Sequence, residues 1–413
     1  MTRSAATRPD AIRRQNLQAL LAELHHHGEL SRAELTQRLG LNRSTIGALV
    51  AELRTRGLVC ERAPDTRRGA GRPSYLVGPR PGDGPYALAI DIDVRQYTVA
   101  AVGLGGRVLA RRSAPIPLPT PPVQHVVTDL ARACAALRTD LPLGAWAVGI
   151  GVSVPGTVRR HDGRVLVAPN LDWHDLDLAE LIRMTFATDL PVTTANDADL
   201  AALAEHLRGA ARGVDDVLYI QGRVGVGGGV IADGVPMHGA LGLAGEIGHM
   251  TLDPNGPRCH CGNRGCFETF VGEEAILRRG GRSEPVGLDG VSLVVAAAAA
   301  GDPVAIQAVA EVSESLGLGL ASLANVLNPA VIVIGGFLAA LAEHHLDLIR
   351  AAFADHMRSA PPEDVEIRVT GLGADAALLG AAEVAFSVLL SAPADLSLLH
   401  RPAVAPAPSV ATV

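Results

Sequence analysis

The stretch around which this chain is organised runs from Glu246 to Glu268 and reads Glu-Ile-Gly-His-Met-Thr-Leu-Asp-Pro-Asn-Gly-Pro-Arg-Cys-His-Cys-Gly-Asn-Arg-Gly-Cys-Phe-Glu. It contains three of the five cysteines and one nearby histidine: His249, Cys259, Cys261 and Cys266. Three thiolates and an imidazole suit a closed tetrahedral zinc site better than magnesium or calcium, which prefer oxygen. The interleaved glycines and prolines predict a compact knuckle instead of a helix. We therefore predict structural Zn²⁺ in a knuckle at 249–266. The alternative is three reduced thiols in a glycine-rich loop.

Length and composition predict two or three domains with substantial apolar cores. The chain has 413 residues, 48% of them hydrophobic, and no uninterrupted apolar run has the length of a transmembrane helix. The first ten residues are polar and carry arginine without an apolar stretch, so they do not resemble a secretory signal. We therefore predict a cytoplasmic protein with reduced cysteines and no membrane partner.

Charge is distributed unevenly along the chain. Residues 1–80 contain 14 arginines and 7 acidic residues, whereas the remainder contains 22 arginines and 36 acidic residues. No lysine is present, so arginine carries all of this basic charge. A basic head on an acidic body predicts that the head contacts a polyanion.

The head has the pattern of a helix-turn-helix. Four leucines at helical spacing predict the buried face of a first helix: Leu17, Leu20, Leu21 and Leu24. We interpret His25–His27, which follow them, as a solvated helix end. Ser31 and Glu34 form a capping box for a second helix, and Gly40-Leu41-Asn42 supplies a turn. A third helix then repeats the apolar spacing: Ile46, Leu49, Val50 and Leu53.

The third helix is predicted to leave its N-terminal end exposed, at Arg43, Ser44 and Thr45. This part of a recognition helix reaches base edges in the major groove. Two short strands, Leu58–Arg62 and Ser74–Val77, flank a Gly/Arg tip that is typical of a wing, and we expect further DNA contacts there from Arg68, Gly71 and Arg72. Residues 1–78 are thus predicted to form a winged helix-turn-helix of α+β class. The alternative is a helical docking module with a flexible loop.

Beyond a Pro/Gly linker at 79–85, the body at 86–390 alternates strands with helices, which predicts an α/β fold. It opens twice with a β-meander, at Tyr86–Asp93 and at Val217–Gln221, and this repeat indicates an internal duplication with an offset of about 130 residues. The tail at 391–413 is rich in alanine, proline and serine, a composition that predicts disorder.

Motifs spread over nearly the whole body resemble the ROK family of repressors, open reading frames and sugar kinases. They are Gly151-Val-Ser-Val-Pro-Gly156, Ala168-Pro-Asn-Leu171 with Trp173, Asn196-Asp-Ala198, Gly225-Val-Gly-Gly-Gly229, Glu246-Ile-Gly-His249, the cysteine knuckle, and Asn328-Pro329 leading to Gly335-Gly336. The resemblance implies an actin-like, ribonuclease H-like body. Its two lobes would be roughly 86–195 with 375–390, and 196–374. A winged helix before such a body resembles the family's repressor branch, in which a sugar usually acts as inducer.

The resemblance also implies an effector site, with six polar residues around a sugar ring: Asn170, Asn196, Asp197, Glu246, His249 and Glu268. Sugar hydroxyls both donate and accept hydrogen bonds, so carboxylates, amides and imidazoles suit them. Glu246 and His249 are three residues apart, so one helical turn would bring them to the same side. His249 would ligate zinc through one ring nitrogen and keep the other for a second partner. The alternative is that these are solvated loop positions.

The phosphate loops decide between sensor and kinase. In the family's kinases the residue at Asp197 is the general base. The kinase pattern Asp-x-Gly-Gly-Thr-Lys is replaced here by Asp91-Ile-Asp-Val-Arg-Gln96, and a second pattern, Gly-Thr-Gly, by Arg223-Val-Gly225. The lost glycines remove the close backbone approach to phosphate, and Asp93 adds a repulsive carboxylate. We therefore expect no catalysis and a vestigial Asp197.

Together these patterns predict a sugar-responsive transcriptional regulator, in the simplest case a repressor of carbohydrate genes. It would bind double-stranded operator DNA as a homodimer or a dimer of dimers. Two alternatives stay open. One is an ATP-dependent, glucokinase-like sugar kinase with a fused DNA-binding head, and the other is a body that binds a protein partner instead of a free sugar.

Overall fold

The computed structural model describes residues 8–64, 74–282 and 290–395. Contacts divide the chain into two compact units. The first unit contains the described parts of Met1–Val152, Asp177–Thr194 and Ala381–Val413, and the second contains those of Ser153–Leu176 and Ala195–Gly380.

The described residues of the head form three helices and a small sheet: α1 (Arg8–His27), β1 (Leu30–Ser31), α2 (Arg32–Leu39), α3 (Arg43–Thr55), β2 (Val59–Arg62) and β3 (Leu76–Pro79). Its antiparallel sheet has the order β1-β3-β2. The predicted apolar faces of α1 and α3 are buried. The winged helix-turn-helix is therefore confirmed, while its predicted wing residues Arg68, Gly71 and Arg72 lie outside the described residues.

Local capping chemistry sets the boundaries within the head. The Ser31 hydroxyl accepts the Glu34 N–H, and the Glu34 carboxylate accepts the Ser31 N–H, which completes the predicted capping box. The backbone N–H of Ser31 lowers the pKa of Glu34 below its ordinary value. In the turn, Gly40 adopts a left-handed conformation with φ of 64°, and the Asn42 amide oxygen accepts the Thr45 N–H at 2.8 Å to start α3.

The body supplies the remaining elements in two runs. The first run is β4 (Pro85–Ile92), β5 (Gln96–Gly103), β6 (Val108–Pro115), α4 (Val123–Arg138), β7 (Trp146–Val154), β8 (Thr157–Arg159), β9 (Arg164–Ala168), β10 (Trp173–Leu176), α5 (Leu178–Phe186) and β11 (Val192–Asn196). The second run is α6 (Asp197–Arg208), β12 (Val217–Gly222), β13 (Val226–Ala232), β14 (Val235–Pro236), α7 (Glu268–Val271), α8 (Glu273–Arg279), α9 (Gly290–Ala299), α10 (Pro303–Leu327), β15 (Val331–Gly336), α11 (Phe337–His356), β16 (Glu366–Val369) and α12 (Ala376–Ser391).

The two five-stranded sheets have the same topology. Their orders are β11-β7-β4-β5-β6 and β16-β15-β12-β13-β14. Each contains a three-stranded meander followed by two later strands, and β12 and β16 both run parallel to β15. The meanders begin at β4 and β12, about 130 residues apart. The duplication predicted from the sequence is therefore present in the fold, and a smaller sheet, β10-β9-β8, belongs to the second unit.

Two segments, α10 and Gly373–Ser391, are long and apolar enough to cross a membrane by length and composition alone. More than half of each apolar window is buried inside the protein, 56% and 61% respectively. In the second unit α10 contributes Val312, Leu316 and Leu320 to the main apolar core, together with β12 and β15. The apolar composition of both segments is therefore explained by their burial as core helices.

Candidate metal centre and sugar pocket

The knuckle is built by short backbone pairings that fold its chain back on itself. Isolated bridges join Thr251 to Cys266 and Arg258 to Arg264. Glycine is required at position 265, where the backbone passes close to that of Asp253. Its φ is +65°, and a Cβ there would lie 1.5 Å from the Asp253 carbonyl oxygen. These pairings make the knuckle compact, as its glycines and prolines predict. One turn of 3₁₀ helix, Ile247–His249, precedes it.

The four predicted metal ligands meet in this fold. One ligand atom from each of His249, Cys259, Cys261 and Cys266 lies within 4.8 Å of all the others. The Sγ atoms of Cys261 and Cys266 are 3.7 Å apart, as are Cys259 Sγ and His249 Nδ1. Zinc–sulfur bonds of about 2.3 Å in a tetrahedron set the sulfur atoms roughly 3.8 Å apart. The donor set and its spacing therefore fit zinc.

Glu268 adjoins this cluster at the start of α7. Its Oε1 accepts a hydrogen bond from Cys259 Sγ at 2.8 Å and lies 3.7 Å from His249 Nδ1. Burial, followed by the Glu268 hydrogen bond, raises the pKa of the Cys259 thiol, and burial also raises the pKa of Cys266. The backbone N–H of Asn263 lowers the pKa of Cys261. The knuckle thus fixes a carboxylate at its edge.

His249 has different neighbours on its two ring nitrogens. Nδ1 is directed at Cys259, whereas Nε2 lies 4.0 Å from Glu246 Oε2. Glu246 immediately precedes the 3₁₀ turn that contains His249, and the two side chains lie on the same side, as their spacing predicts. Glu246 Oε1 in turn accepts from the Thr157 hydroxyl at 3.3 Å.

A small cavity lies beside Glu246 in the second unit. It is lined by side chains with oxygen and nitrogen atoms and by glycine-rich backbone: Thr157, Val158, Asn196, Asp199, Gly227, Gly228, Gly242, Leu243, Ala244, Gly245 and Glu246. Amide, hydroxyl and carboxylate groups on a compact backbone match the mixed donor and acceptor needs of a sugar.

Asn196 has a structural role at this cavity. Its amide oxygen accepts the N–H groups of Ala198 and Asp199, at 2.8 and 3.1 Å, and so caps α6. Its amide nitrogen donates to the Gly156 carbonyl at 2.9 Å. Asn196 therefore holds the start of α6, and with it Asp197, against the loop that follows β7.

Asp197 is buried and engaged by two side chains from the end of β12 and the loop after it. Its Oδ2 accepts Gln221 Nε2 at 2.9 Å and Arg223 Nη1 at 3.2 Å. Arg223 belongs to the segment Arg223-Val-Gly225, which we predict to depart from the kinase pattern. Hydrogen bonds from two different segments hold the carboxylate in one orientation.

The other predicted effector residue, Asn170, is exposed in the 3₁₀ turn Pro169–Leu171. Within the described part of the chain, no hydrogen bond or ion pair joins it to the other five. Sequence reasoning missed Asp199 and Thr157, which line the cavity, and His238, whose Nδ1 lies 3.8 Å from Asp199 Oδ2. Asp199 follows Asp197 in the first turn of α6, and this proximity was the available signal.

The segment Asp91-Ile-Asp-Val-Arg-Gln96, which we compare with a kinase phosphate loop, forms a tight hairpin between β4 and β5 in the first unit. The Asp93 N–H donates to the Gln96 carbonyl at 2.8 Å, and the Asp93 carboxylate accepts the N–H of Val94. Both Asp91 and Asp93 are buried. In the head, Arg43 and Ser44 are exposed at the start of α3 and Thr45 is partly buried, so this helix end is available to a ligand.

Comparisons with known proteins agree with both parts of the chain. The ROK family model matches residues 87–387, and a MarR family model matches residues 19–69. A putative xylose repressor of Caldicellulosiruptor sp. (strain Rt8B.4) is 30% identical over 395 residues, covering 92% of this chain and 98% of the relative. A glucokinase of Streptomyces coelicolor is 31% identical over 318 residues, covering 72% and 97%.

Solved structures give the same two classes. A ROK family transcriptional regulator described as a homolog of the E. coli MLC protein has a TM-score of 0.74 and 27% identity, covering 92% of this chain and 97% of that one. A ROK family glucokinase from Streptomyces griseus, in complex with glucose and AMPPNP, has a TM-score of 0.63 and 29% identity, covering 72% and 98%. The regulator therefore matches head and body together, while the kinase matches the body.

These findings confirm the resemblance drawn from the sequence motifs, and they extend over nearly the full length of the chain. The chain belongs to the ROK family, and it carries a MarR-type winged helix before the family's actin-like body.

Proposed function

We propose that this protein is a sugar-responsive transcriptional repressor of carbohydrate genes, acting in the cytoplasm. The observation that carries the proposal is the joining, in one chain, of a winged helix to a ROK body in which Arg223 engages Asp197. Relatives over almost the whole chain are named xylose repressors. A five-carbon sugar such as D-xylose is therefore the first effector to test.

The head supplies DNA binding in this proposal. The exposed end of α3 presents Arg43, Ser44 and Thr45, which carry the donors that base edges and phosphates accept. Arg68, Gly71 and Arg72, which the sequence predicts to belong to a wing, would add contacts in a minor groove or along phosphates. Two heads of a homodimer, or of each dimer in a dimer of dimers, would bind a palindromic operator, because two-fold protein symmetry is matched by the site.

The second unit supplies the sugar pocket. Glu246 and Asn196 line the cavity, Asp197 begins the helix beside it, and His249 and Glu268 join this region to the knuckle. Asn170 remains a proposed contact on a separate turn. The ligand changes operator affinity only to the extent that it binds the DNA-competent and DNA-incompetent states with different affinity.

The cysteine knuckle would hold Zn²⁺ through His249, Cys259, Cys261 and Cys266. Four protein ligands leave no open coordination position, so bound zinc would supply structural cross-linking and not Lewis-acid chemistry. The residues around the metal perform the positioning: Glu246 and Glu268 contact the two sides of the His249 ring. The fixed knuckle would thus orient carboxylates toward the sugar.

Catalysis is not part of the proposal because the phosphate loops lack the groups that phosphoryl transfer needs. Positioning and charge stabilisation supply most of the acceleration in such reactions. Loss of one well-placed donor costs about 10²–10³ in rate. Here Asp93 occupies a phosphate loop with negative charge, and Arg223 engages the residue that would act as base.

The decisive experiment is a gel shift with the region upstream of the protein's own gene, at moderate salt and with a sugar panel that begins with D-xylose and D-glucose. We expect a shift without sugar and its loss with one member of the panel. No shift under any condition would refute DNA regulation. A shift that no sugar changes would instead favour a protein partner as the effector of the body.

A second candidate is favoured by the glucokinase relatives, which match the body at 31% identity, and by the retention of Asp197. In that case the chain would be an ATP-dependent sugar kinase with a fused DNA-binding head. Incubation with Mg-ATP and the same panel separates the two functions. Sugar-dependent ADP production that the Asp197→Asn variant lacks would establish the kinase and refute our interpretation of the loops.

A further inference from the structure

The last turn of α1 contains a buried polar contact that the proposed sugar site does not use. His25 is fully buried, so our interpretation of the histidine triplet as a solvated helix end is wrong for this residue. Its Nε2 lies 2.8 Å from Oε2 of Glu383, a buried carboxylate on α12. His25 lies four residues after Leu21 and therefore on the buried leucine face of α1. This spacing is the sequence signal for its burial.

The hydrogen bonds of the His25 ring define its tautomer. The Gly105 N–H donates to Nδ1 at 3.1 Å, and a ring nitrogen that accepts a hydrogen bond carries no proton. The proton therefore lies on Nε2 and is donated to Glu383. One imidazole thus joins α1, the turn between β5 and β6, and α12. Gly105 fits this turn because its φ is +96° and a Cβ would lie 3.0 Å from Pro79.

Further contacts join the head to α12 and to the residues that follow it, all of them within the first unit. The Phe386 ring packs 4.9 Å from the His25 ring. The Gln18 side chain, seven residues before His25 and so on the same face of α1, donates to the Ser391 carbonyl. Arg56 Nη1 donates to the Ala394 carbonyl at 2.6 Å. The head is therefore docked on the C-terminal helix of the body by directional contacts, not only by its connecting chain.

The other end of α12 packs against the helix that begins with Asp197. In the second unit, Ala376 and Ala377 share an apolar cluster with Ala201 and Ala202 of α6. Gly380 approaches α6 so closely that a Cβ would lie 1.9 Å from the Leu200 carbonyl oxygen. A side chain at Gly380 would thus force α6 and α12 apart. One continuous helix therefore contacts both the sugar-pocket helix and, one turn later, the winged helix.

We propose that the His25–Glu383 pair is the joint through which α12 sets the orientation of the winged helix and so carries the sugar signal to the DNA-binding surface. A hydrogen bond between two buried side chains forms in a narrow range of geometries, and rotation of the head about α12 would break the bond between His25 and Glu383 inside the protein. Because α6 begins at the proposed sugar pocket and packs against α12, a change in the pocket can be transmitted to the same helix. The inference rests on the proposed function and specifies its regulation.

The joint itself is tested without DNA, by hydrogen exchange on the full-length protein. His25→Phe keeps an aromatic ring beside Phe386 but removes the hydrogen bonds with Glu383 and Gly105, and Glu383→Ala removes the carboxylate that accepts from His25. Exchange in α1 and in the Gly103–Val108 turn should rise by at least roughly tenfold, the scale expected when a local opening loses its hydrogen bonds. Glu383→Gln keeps an acceptor and should retain most of the protection. Unchanged exchange in both disruptive variants would refute the joint.

The matched control is His27→Ala. This residue belongs to the same histidine triplet, but its Nε2 lies 3.5 Å from Oε2 of Glu23 on α1 itself. It should leave exchange in the Gly103–Val108 turn at the wild-type value. An equal rise in the control would reduce the effect to general fraying of α1 and would overturn the specific assignment to His25.

Transmission is tested by operator affinity with and without D-xylose, alongside calorimetric xylose affinity. We expect a wild-type sugar effect of roughly tenfold, its reduction to less than about twofold in His25→Phe and Glu383→Ala, and an unchanged xylose affinity in both. A merely structural pair would lower the melting temperature and leave the sugar effect intact, which would overturn transmission. A wild-type protein that binds no operator would refute the proposed function, and transmission with it, while hydrogen exchange still decides the joint.

Discussion

At the scale of single residues, the pairing of Asp197 with Arg223 has the clearest functional meaning. The carboxylate lies at the start of α6, where Asn196 fixes the backbone, and it is held from the other side by β12 and the loop that follows. The same residue type that a kinase would use as a base is here a partner in an ion pair. We propose that Arg223 thereby gives Asp197 a role in sugar binding instead of catalysis.

We predict that Asp197→Asn lowers sugar affinity about tenfold, because a charge-assisted hydrogen bond to a sugar hydroxyl is replaced by a neutral one. Isothermal calorimetry with the sugar that releases the operator provides the measurement. Asp189→Asn, an exposed carboxylate on the loop between α5 and β11, is the matched control and should bind normally. Equal affinity of the Asp197→Asn variant and the wild type would remove Asp197 from the effector site.

At the scale of elements, two parts of the second unit depend on a few side chains that hold loops in place. They are the knuckle and the α6 junction, where Glu205 of α6 meets residues 370–372. The knuckle has little apolar interior of its own, so its fold depends on backbone bridges and on its cysteines and histidine. The α6 junction depends on one buried carboxylate, Glu205. Both elements belong to the second unit.

For the knuckle, Cys266→Ser should abolish zinc content, lower the melting temperature and remove the sugar response together. The reason is that loss of one of four ligands breaks a closed site whose binding energy stabilises the local fold. Metal content is measured by mass spectrometry on the purified protein, and sugar response by operator release. Cys60→Ser, a partly buried thiol in the head, should keep its zinc. A full sugar response without zinc would exclude the positioning role.

Glu205 is fully buried and joins three segments of the second unit. It accepts the N–H groups of Ala210, Gly371 and Leu372, and it is hydrogen bonded to the Thr370 hydroxyl. Glu205→Ala should destabilise the second unit by about 3 kcal/mol, because several buried donors lose their acceptor at once. Glu205→Gln, with one acceptor oxygen, should lose less. Denaturant unfolding followed by circular dichroism tests this order, and equal stability of the three proteins would contradict it.

At the scale of the whole molecule, the chain separates a basic head from an acidic body. Its first 80 residues contain twice as many arginines as acidic residues, while the rest is strongly acidic. Attraction to DNA is thereby concentrated on the head, and the body repels the polyanion. The division predicts an operator affinity with a marked dependence on salt.

We predict that Arg43→Gln weakens operator binding and reduces the slope of log affinity against log salt by about 0.9 for each phosphate that the side chain no longer neutralises. If Arg43 contacts a base instead, preference for one operator position should relax with little change of slope. Arg132→Gln on α4, where the arginine side chain is 74% exposed, is the control and should change neither. Unchanged slope and preference in the Arg43 variant would exclude this end of α3 from the interface.

The sequence by itself determined the parts of this protein that depend on local pattern. The spacing of Leu17 to Leu24, the Ser31–Glu34 capping box and the four metal-type ligands all specified contacts that neighbouring residues complete, and the structure contains them. The repeated meander likewise indicated the duplicated sheet. Periodicity and capping are properties of a short segment, so they can be recognised without knowing what packs against it.

Only the tertiary structure decided which distant partners the buried polar residues meet. His25 reaches Glu383 across 358 positions and Glu205 reaches Leu372 across 167, while Arg223 donates to Asp197 across 26. Such pairings follow from how whole elements pack, because a buried charge or hydrogen-bonding group must find its partner wherever the fold places one. No local pattern specifies that partner, and in this protein these pairings are where sugar binding and its transmission are proposed to reside.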